Sequence, residues 1–400
     1  MGSVLKILTV NAGSSSIKLD VLSFEDSALS DQRSLTASIT GIGQTTTTLT
    51  VHQPTETKQS HDIDAPDYPS AISGLMNLLS EKFPVGDISA IGHRIVHGGP
   101  NYSQPAYLSD EVMADLESFS SFDPEHAPIA RQLIYALRQQ YPGVPQVACF
   151  DTAFFHNLPA VAQALPLPHK YQAEGLRRYG FHGLSYSYLQ SAFRDSAGDL
   201  AANGKVIYAH LGSGASLAAT LNGQPVDTTM GFSPTSGIMM STRSGDLDPS
   251  IVSYLNHQTG QNLDDYNHMI NFESGLLGVS ELSADMYTLL QRQDENPQAD
   301  LAVKLFVYQV RKAIGALTAV LGGLDSLIFS GGIGEQSPII RQLICDDLGY
   351  LGIDLDTSAN QAQADLISAS GSKVGVHVIP TDEASVIAQQ VFATINTSQT

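Results

Sequence analysis

The chain has 400 residues, room for two domains at roughly 150 residues each, and 42% of them are hydrophobic, enough for ordinary buried cores. Forty Asp and Glu against twenty Lys and Arg leave a formal net charge of −20, which argues against a nucleic-acid footprint and against docking on an anionic membrane. Two cysteines, Cys149 and Cys345, lie in apolar contexts and read as buried thiols of a cytosolic protein rather than as a disulfide framework.

The first residues run straight into an apolar stretch. They lack the charged start, h-region and cleavage site of a signal peptide, so a cytoplasmic location is expected. No run of ~18 residues is both uncharged and continuously apolar, as a membrane span requires. Residues 6–21, KILTVNAGSSSIKLDV, read as two strands around a turn rich in small hydroxyls. AIGHRIVHGG (90–99) ends an apolar strand with His93, Arg94 and His97. The two histidines read best as structural, whereas Arg94 is one of the scarce basic residues and is read as lying in a Gly-rich turn. ACFDTAFF (148–155) puts Asp151 at another strand end. A buried carboxylate is costly unless paired or bound to a metal, which marks Asp151 as functional.

RRYGFHGLS (177–185) holds His182 between glycines. KVIYAHLGSGASLAATLNG (205–223) repeats the opening pattern at a constant offset: Lys6 matches Lys205, and Gly13-Ser14 matches Gly212-Ser213. Such self-similarity suggests duplication. In the stretch 227–250, Arg243 lies in a Gly-rich turn, where a guanidinium fork matches carboxylate or phosphate oxygens. Asp248-Pro249 reads as N-cap and N1 of a following helix. A long amphipathic helix ends at Gly322-Gly323, and SLIFSGGIGE then gives a strand and a third glycine turn. PTDEASVIAQQ (380–390) opens a C-terminal helix with Asp382 and Glu383. Either carboxylate could simply complement the helix N-terminus.

Helix, strand and glycine turn alternate, an α/β pattern. Consecutive N–H groups at a glycine turn form an anion nest, and hydroxyls add donors. Three such turns suit a polyphosphate gripped from both sides. There is no Walker loop, GxGxxG or HExxH, so a dinucleotide oxidoreductase or a zinc hydrolase has no support.

NAGSSSIK, GHRIVHGG, FDTAF, RRYGFHG, MGFSPTSGIMMSTRSGDLDP, SGGIGE and PTDE, in this order and across the whole chain, resemble the acetate kinase family. The resemblance implies a duplicated ribonuclease H-like fold of the sugar kinase and actin-like ATPase kind, with an active-site cleft between two domains. These would be an N-terminal domain, 1–150, with a C-terminal helix at 385–400 packing back on it, and a nucleotide-binding and dimerisation domain, 151–384. It implies reversible transfer of the ATP γ-phosphoryl group to acetate, with Mg²⁺ (or Mn²⁺) and ATP/ADP, in a homodimer that uses no nucleic acid or membrane. By the same resemblance, Asn11, Ser14, Ser16 and Lys18 line the first phosphate turn. The nucleotide side adds His210, Gly212, Ser213 and Gly214, then Asp285, Met286 and Tyr287, and finally Gly331, Gly332, Ile333 and Gly334. Arg94 and Arg243 bind the acyl carboxylate and the phosphoryl group, and Val96, Phe181 and Pro234 form the acyl wall. Asp151 and Glu383 serve the magnesium and the acceptor geometry, with Asn11 beside Glu383 on the metal. His182 donates to the developing charge, assisted by His126.

Four departures from the family pattern stand out: Glu125-His126-Ala127-Pro128, Leu184 and Tyr186 in GFHGLSY, Ser213 in HLGSG, and Tyr287 near the adenine. They bear on acyl chain length and nucleotide preference. The retained GGIGE favours ATP over pyrophosphate. A propionate or butyrate kinase is the alternative within the family, and a non-catalytic nucleotide or acyl-phosphate sensor the alternative outside catalysis.

Overall fold

A computed structural model describes residues 4–13, 15–54, 56–123 and 125–397. It resolves into two compact units, Met1–Ala153 with Asp382–Thr400, and Phe154–Thr381.

The first unit is built on an eight-stranded mixed sheet. Its strands are β1 (Leu5–Ala12), β2 (Ser16–Glu25), β3 (Ala28–Thr40), β4 (Thr47–His52), β5 (Gln59–Ile63), β6 (Ala90–Ile95), β7 (Ala106–Tyr107) and β8 (Gln146–Phe150), in the order β5-β4-β3-β2-β1-β6-β8-β7. The expected opening hairpin is present: β1 and β2 pair antiparallel from Leu5↔Phe24 to Ala12↔Ile17. β6 then pairs parallel to β1. Both faces of the central strands are apolar, so both are covered. Tyr68–Lys82 and Ala127–Gln140 supply Leu75, Leu79, Leu133 and Leu137 to one buried cluster. The C-terminal helix, Glu383–Thr397, lies so close to β6 that a Cβ at Gly92 would fall 2.4 Å from Ile387 and 2.6 Å from Val391. Only glycine fits there.

The second unit holds a five-stranded sheet of β9 (Lys205–Leu211), β10 (Ala215–Leu221), β11 (Gln224–Thr228), β12 (Ser326–Ser330) and β13 (Gly375–Val378), in the order β11-β10-β9-β12-β13. β9 pairs antiparallel with β10 and parallel with β12, and β12 pairs parallel with β13. In the first sheet, β3-β2-β1-β6-β8 has the same order and the same strand senses. The expected long helix spans Pro297–Leu321 and ends at Gly322 in the left-handed conformation.

Three local expectations need correction. SGGIGE is not an open turn: a short helix, Gly331–Gln336, starts directly after β12. Arg94 is the penultimate residue of β6 rather than part of the glycine turn beyond it. The helix after Asp248-Pro249 begins at Ser250, one residue later than expected, with Pro249 in the cap position. The Asp248 carboxylate still accepts from the Ser250 amide at 2.7 Å.

Candidate active site

In the first unit, two strand ends and one helix start converge on Arg94, itself near the end of a third strand. Its Nε and Nη2 donate to Asp151 Oδ2 at 3.0 and 2.6 Å, and its Nη1 donates to Asn11 Oδ1 at 2.9 Å. Asn11 Nδ2 in turn donates to Glu383 Oε2 at 2.7 Å, which lies 3.9 Å from Arg94 Nη1. Asn11 is near the end of β1, Arg94 near the end of β6, Asp151 just past β8 and Glu383 at the head of the C-terminal helix. Parallel neighbours end on the same side, which is why residues so distant in sequence meet. Burial works against the Arg94 charge, yet Asp151 and Glu383 offset this, and its pKa moves up. Burial likewise pushes the Asp151 carboxyl up, while Arg94 draws it back. Asp151 is 0% exposed, and its Oδ1 has no hydrogen-bond partner.

The two acidic residues of PTDE divide the work. Asp382 accepts from the Ser385 amide and pairs with Arg33 at 2.5 Å. Burial would raise its carboxyl, but Ser385 and Arg33 outweigh that and hold it below its usual range. Arg33 also reaches Asp20 at 2.7 Å. Asp382 is therefore the capping residue, and Glu383 faces Asn11.

His126 is buried, and its Nδ1 lies 2.8 Å from Asp123 Oδ1. His93 is structural, as expected: it bonds Gln146 at 2.7 Å, and burial lowers its pKa to about 4. His97 Nδ1 accepts from the Gly99 amide at 2.9 Å.

In the second unit, the β9–β10 turn and the start of the short helix after β12 meet. A Cβ at Gly212 would lie 3.7 Å from the Gly332 amide nitrogen. The amide of Gly331 donates to Glu335 Oε1 at 2.8 Å, as does the Thr381 amide at 3.2 Å, so an internal carboxylate occupies that amide. Gly331 has φ +74°, and a Cβ there would fall 2.7 Å from Leu211 O. Arg341 is 0% exposed and donates to the carbonyls of Gly334 and Glu335 at 2.8 Å each, fixing the other end of this short helix.

His182 caps the helix Gly183–Ala197 at φ +60°, a strained position for a non-glycine residue. Its Nδ1 shares a hydrogen bond of 2.9 Å with Ser216 Oγ, which is 2.6 Å from Tyr186 OH. His210 Nδ1 bonds Ser185 Oγ at 2.8 Å, and Thr381 Oγ1 donates to Ser185 at 2.8 Å. The two imidazole rings are 4.5 Å apart. A Cβ at Gly214 would lie 3.1 Å from His182 Nε2 and 3.9 Å from Arg243 Nη1. Arg243 Nη1 donates to Pro234 O at 3.3 Å.

Of the remaining expected residues, Ser14 lies outside the described residues, and Ser16 and Lys18 stand on β2 with Lys18 exposed. Val96 and Phe181 are buried and Pro234 half-buried. Ser213 is exposed at its turn and Ile333 half-buried. Met286 is buried, Tyr287 is 71% exposed, and Asp285 caps the helix Met286–Arg292. Cys149 and Cys345 are buried thiols, and burial pushes Cys345 up to about 12. The sequence reading missed Asp123, Ser216, Ser185, Glu335 and Arg33. Asp123 alone left a signal, a carboxylate three residues before a histidine.

Arginines with paired carboxylates, and histidine donors above glycine turns, are groups that handle phosphoryl oxygens. They define a phosphotransferase on a mixed α/β scaffold of two sheets. The sequence profile of the Acetokinase family matches residues 6–389. The acetate kinase of Rhodopseudomonas palustris is 42% identical over 391 residues, covering 96% of this chain and 97% of its own. The propionate kinase of Citrobacter rodentium is 40% identical over 392 residues, covering 97% and 96%. The crystal structure of Porphyromonas gingivalis acetate kinase superposes with a TM-score of 0.84 at 33% identity, covering 98% of this chain and 100% of that one. The chain belongs to the Acetokinase family, phosphotransferases with a carboxyl group as acceptor.

Proposed function

We propose that this chain is an acetate kinase, transferring the ATP γ-phosphoryl group reversibly to acetate to give acetyl phosphate and ADP by direct in-line displacement. The observation that carries this is the Arg94 fork, held by Asp151, Asn11 and Glu383 at one end of a sheet. A carboxylate oxygen is already an adequate nucleophile, so the task is positioning and charge neutralisation rather than proton removal. Arg94 and Arg243 supply the positive charge that lets two anions meet, and Asp151 fixes the Arg94 fork. In the second unit, Tyr186 donating to Ser216 and Ser216 to Nδ1 leaves the proton of His182 on Nε2. A neutral donor then serves the equatorial oxygens of the phosphoryl group. Gly212, Ser213 and Gly214, with Gly332, Ile333 and Gly334, cradle the nucleotide phosphates. Asp285, Met286 and Tyr287 stand on the adenine side. Val96, Phe181 and Pro234 give the acyl methyl its apolar wall.

The residues fit a magnesium ion. Asn11 and Glu383 offer the hard oxygens this ion takes, and Asp151 Oδ1 is a buried acceptor without a partner. When bound, the ion neutralises phosphate charge in the transfer. Asn11 and Glu383 would hold it, with manganese as a substitute.

The shared strand order and senses of the two sheets support a duplicated ribonuclease H-like fold, as in sugar kinases and actin-like ATPases. The first unit, with the C-terminal helix, is then the N-terminal domain, and the second, Phe154–Thr381 rather than 151–384, serves nucleotide binding and dimerisation. A cytoplasmic homodimer completes the reading. Propionate is the second acceptor, favoured by the 40% identity to a propionate kinase. One methylene is worth only ~1–3 kcal/mol in an apolar pocket.

The test is acyl hydroxamate formation with ATP, magnesium and matched concentrations of acetate, propionate and butyrate. Acetate is expected to turn over fastest, with propionate close behind. No acyl phosphate from any of the three would overturn the reading.

A further inference from the structure

Asp123 is buried at 4% exposure in a segment that carries no strand. A carboxylate is not kept out of water there without a partner. It does not cap the helix Ala127–Gln140, whose cap position is His126 and carries no side-chain cap bond. Instead its Oδ1 lies 2.8 Å from His126 Nδ1 and accepts from the His126 amide at 3.4 Å. The Asp123 carbonyl accepts from the Ala127 amide at 3.2 Å, which fixes the turn. Burial would raise the Asp123 carboxyl, but its contacts with His126 hold it below its usual range. Arg94 is coupled electrostatically to Asp123, and Asp151 to His126.

We propose that Asp123 is a positioning residue for the transfer reaction: its carboxylate accepts the hydrogen bond of His126 Nδ1–H and locks the ring, so that Nε2 is the nitrogen that works on the substrate. The proposal rests on the reading of His126 as a donor to the transferring phosphoryl group. An imidazole has two faces related by a ring flip, and only one presents Nε2 in place. A carboxylate on Nδ1 removes the choice.

The test begins with the unmodified protein labelled with ¹⁵N-histidine, the His126 signals being assigned by their loss in His126→Gln. Nδ1 is expected to carry a proton throughout pH 6–8. A neutral ring protonated on Nε2 alone overturns the proposal. Next, Asp123→Ala is expected to lower kcat for acyl phosphate formation by tenfold or more, with KM for ATP within threefold. Asp123→Glu should recover part of that loss. The double variant Asp123→Ala/His126→Ala should be no slower than His126→Ala, because both changes remove one device. A kcat for Asp123→Ala within twofold of the unmodified enzyme, or a double variant slower by the product of the single losses, overturns the proposal. If the unmodified protein phosphorylates no carboxylate, the functional reading fails, and the ring spectrum alone then decides the pairing.

Discussion

The two units carry the same hairpin and the same flanking parallel strand, yet they back Arg94 and His126 in one, and His182 and His210 in the other, in different ways. In the first unit, carboxylates do the backing: Asp151 and Glu383 for Arg94, Asp382 for Arg33, Asp123 for His126. In the second unit, His182 and His210 are each backed by a serine hydroxyl that is itself bonded to a second hydroxyl, Tyr186 or Thr381. Charged groups in a partly dry site hold strongly and are costly to break, whereas hydroxyl relays fix a tautomer without adding charge. One scaffold thus carries a carboxylate-paired cluster around Arg94 in one unit and hydroxyl-backed histidines in the other. The overall charge of −20 makes that local concentration necessary for anionic substrates.

The comparison can be broken most severely at Arg94. Arg94→Ala should lower kcat ~10²-fold or more, since a charge-assisted contact in such a site is worth several kcal/mol in the transition state. It should also lower the melting temperature, because Asp151 is left buried without its cation. Arg243→Ala should match it in rate, and steady-state kinetics with calorimetry separates the two effects. Next in size is the hydroxyl side. Gly214→Ala puts a Cβ 3.1 Å from His182 Nε2 and should cost about tenfold in kcat, with little change in melting temperature. An unchanged kcat would mean that Nε2 does not face the reacting group. The smallest effect lies away from the chemistry, at Asp382. Its carboxyl is depressed in the folded state, so its contribution is present above the unfolded value, roughly 3.9, and is lost as pH falls through the folded value. Asp382→Asn should therefore cost roughly 1 kcal/mol at pH 7. Denaturant melts should show the gap closing below about pH 4, and a gap independent of pH would remove the Arg33 pair as its cause.

Much of this could be read from the residues. The opening hairpin and its copy were legible because apolar alternation broken by small turn residues specifies a register. The helix ending at Gly322 was legible because its period and its stop agree. What escaped was whatever depends on residues far apart in the chain. Asn11 and Glu383 are separated by 372 positions, and no local pattern tells which acid of Asp382-Glu383 caps the helix and which turns to Asn11. The short helix at Gly331 escaped because glycines argue for a turn. Glu335 and Arg341, which tie its two ends, act only through the fold.

The central claim is that Arg94 works as a fork held in place by Asp151 and Asn11, not as a charge alone. Arg94→Lys tests it most directly, since it keeps the charge and loses the planar pair of donors. The measurement is kcat for acetyl phosphate formation at saturating ATP, magnesium and acetate. The account predicts a loss of ~10²-fold despite the retained charge, because a lysine cannot hold Asp151 and the substrate oxygens together. A rate within threefold of the unmodified enzyme would contradict it.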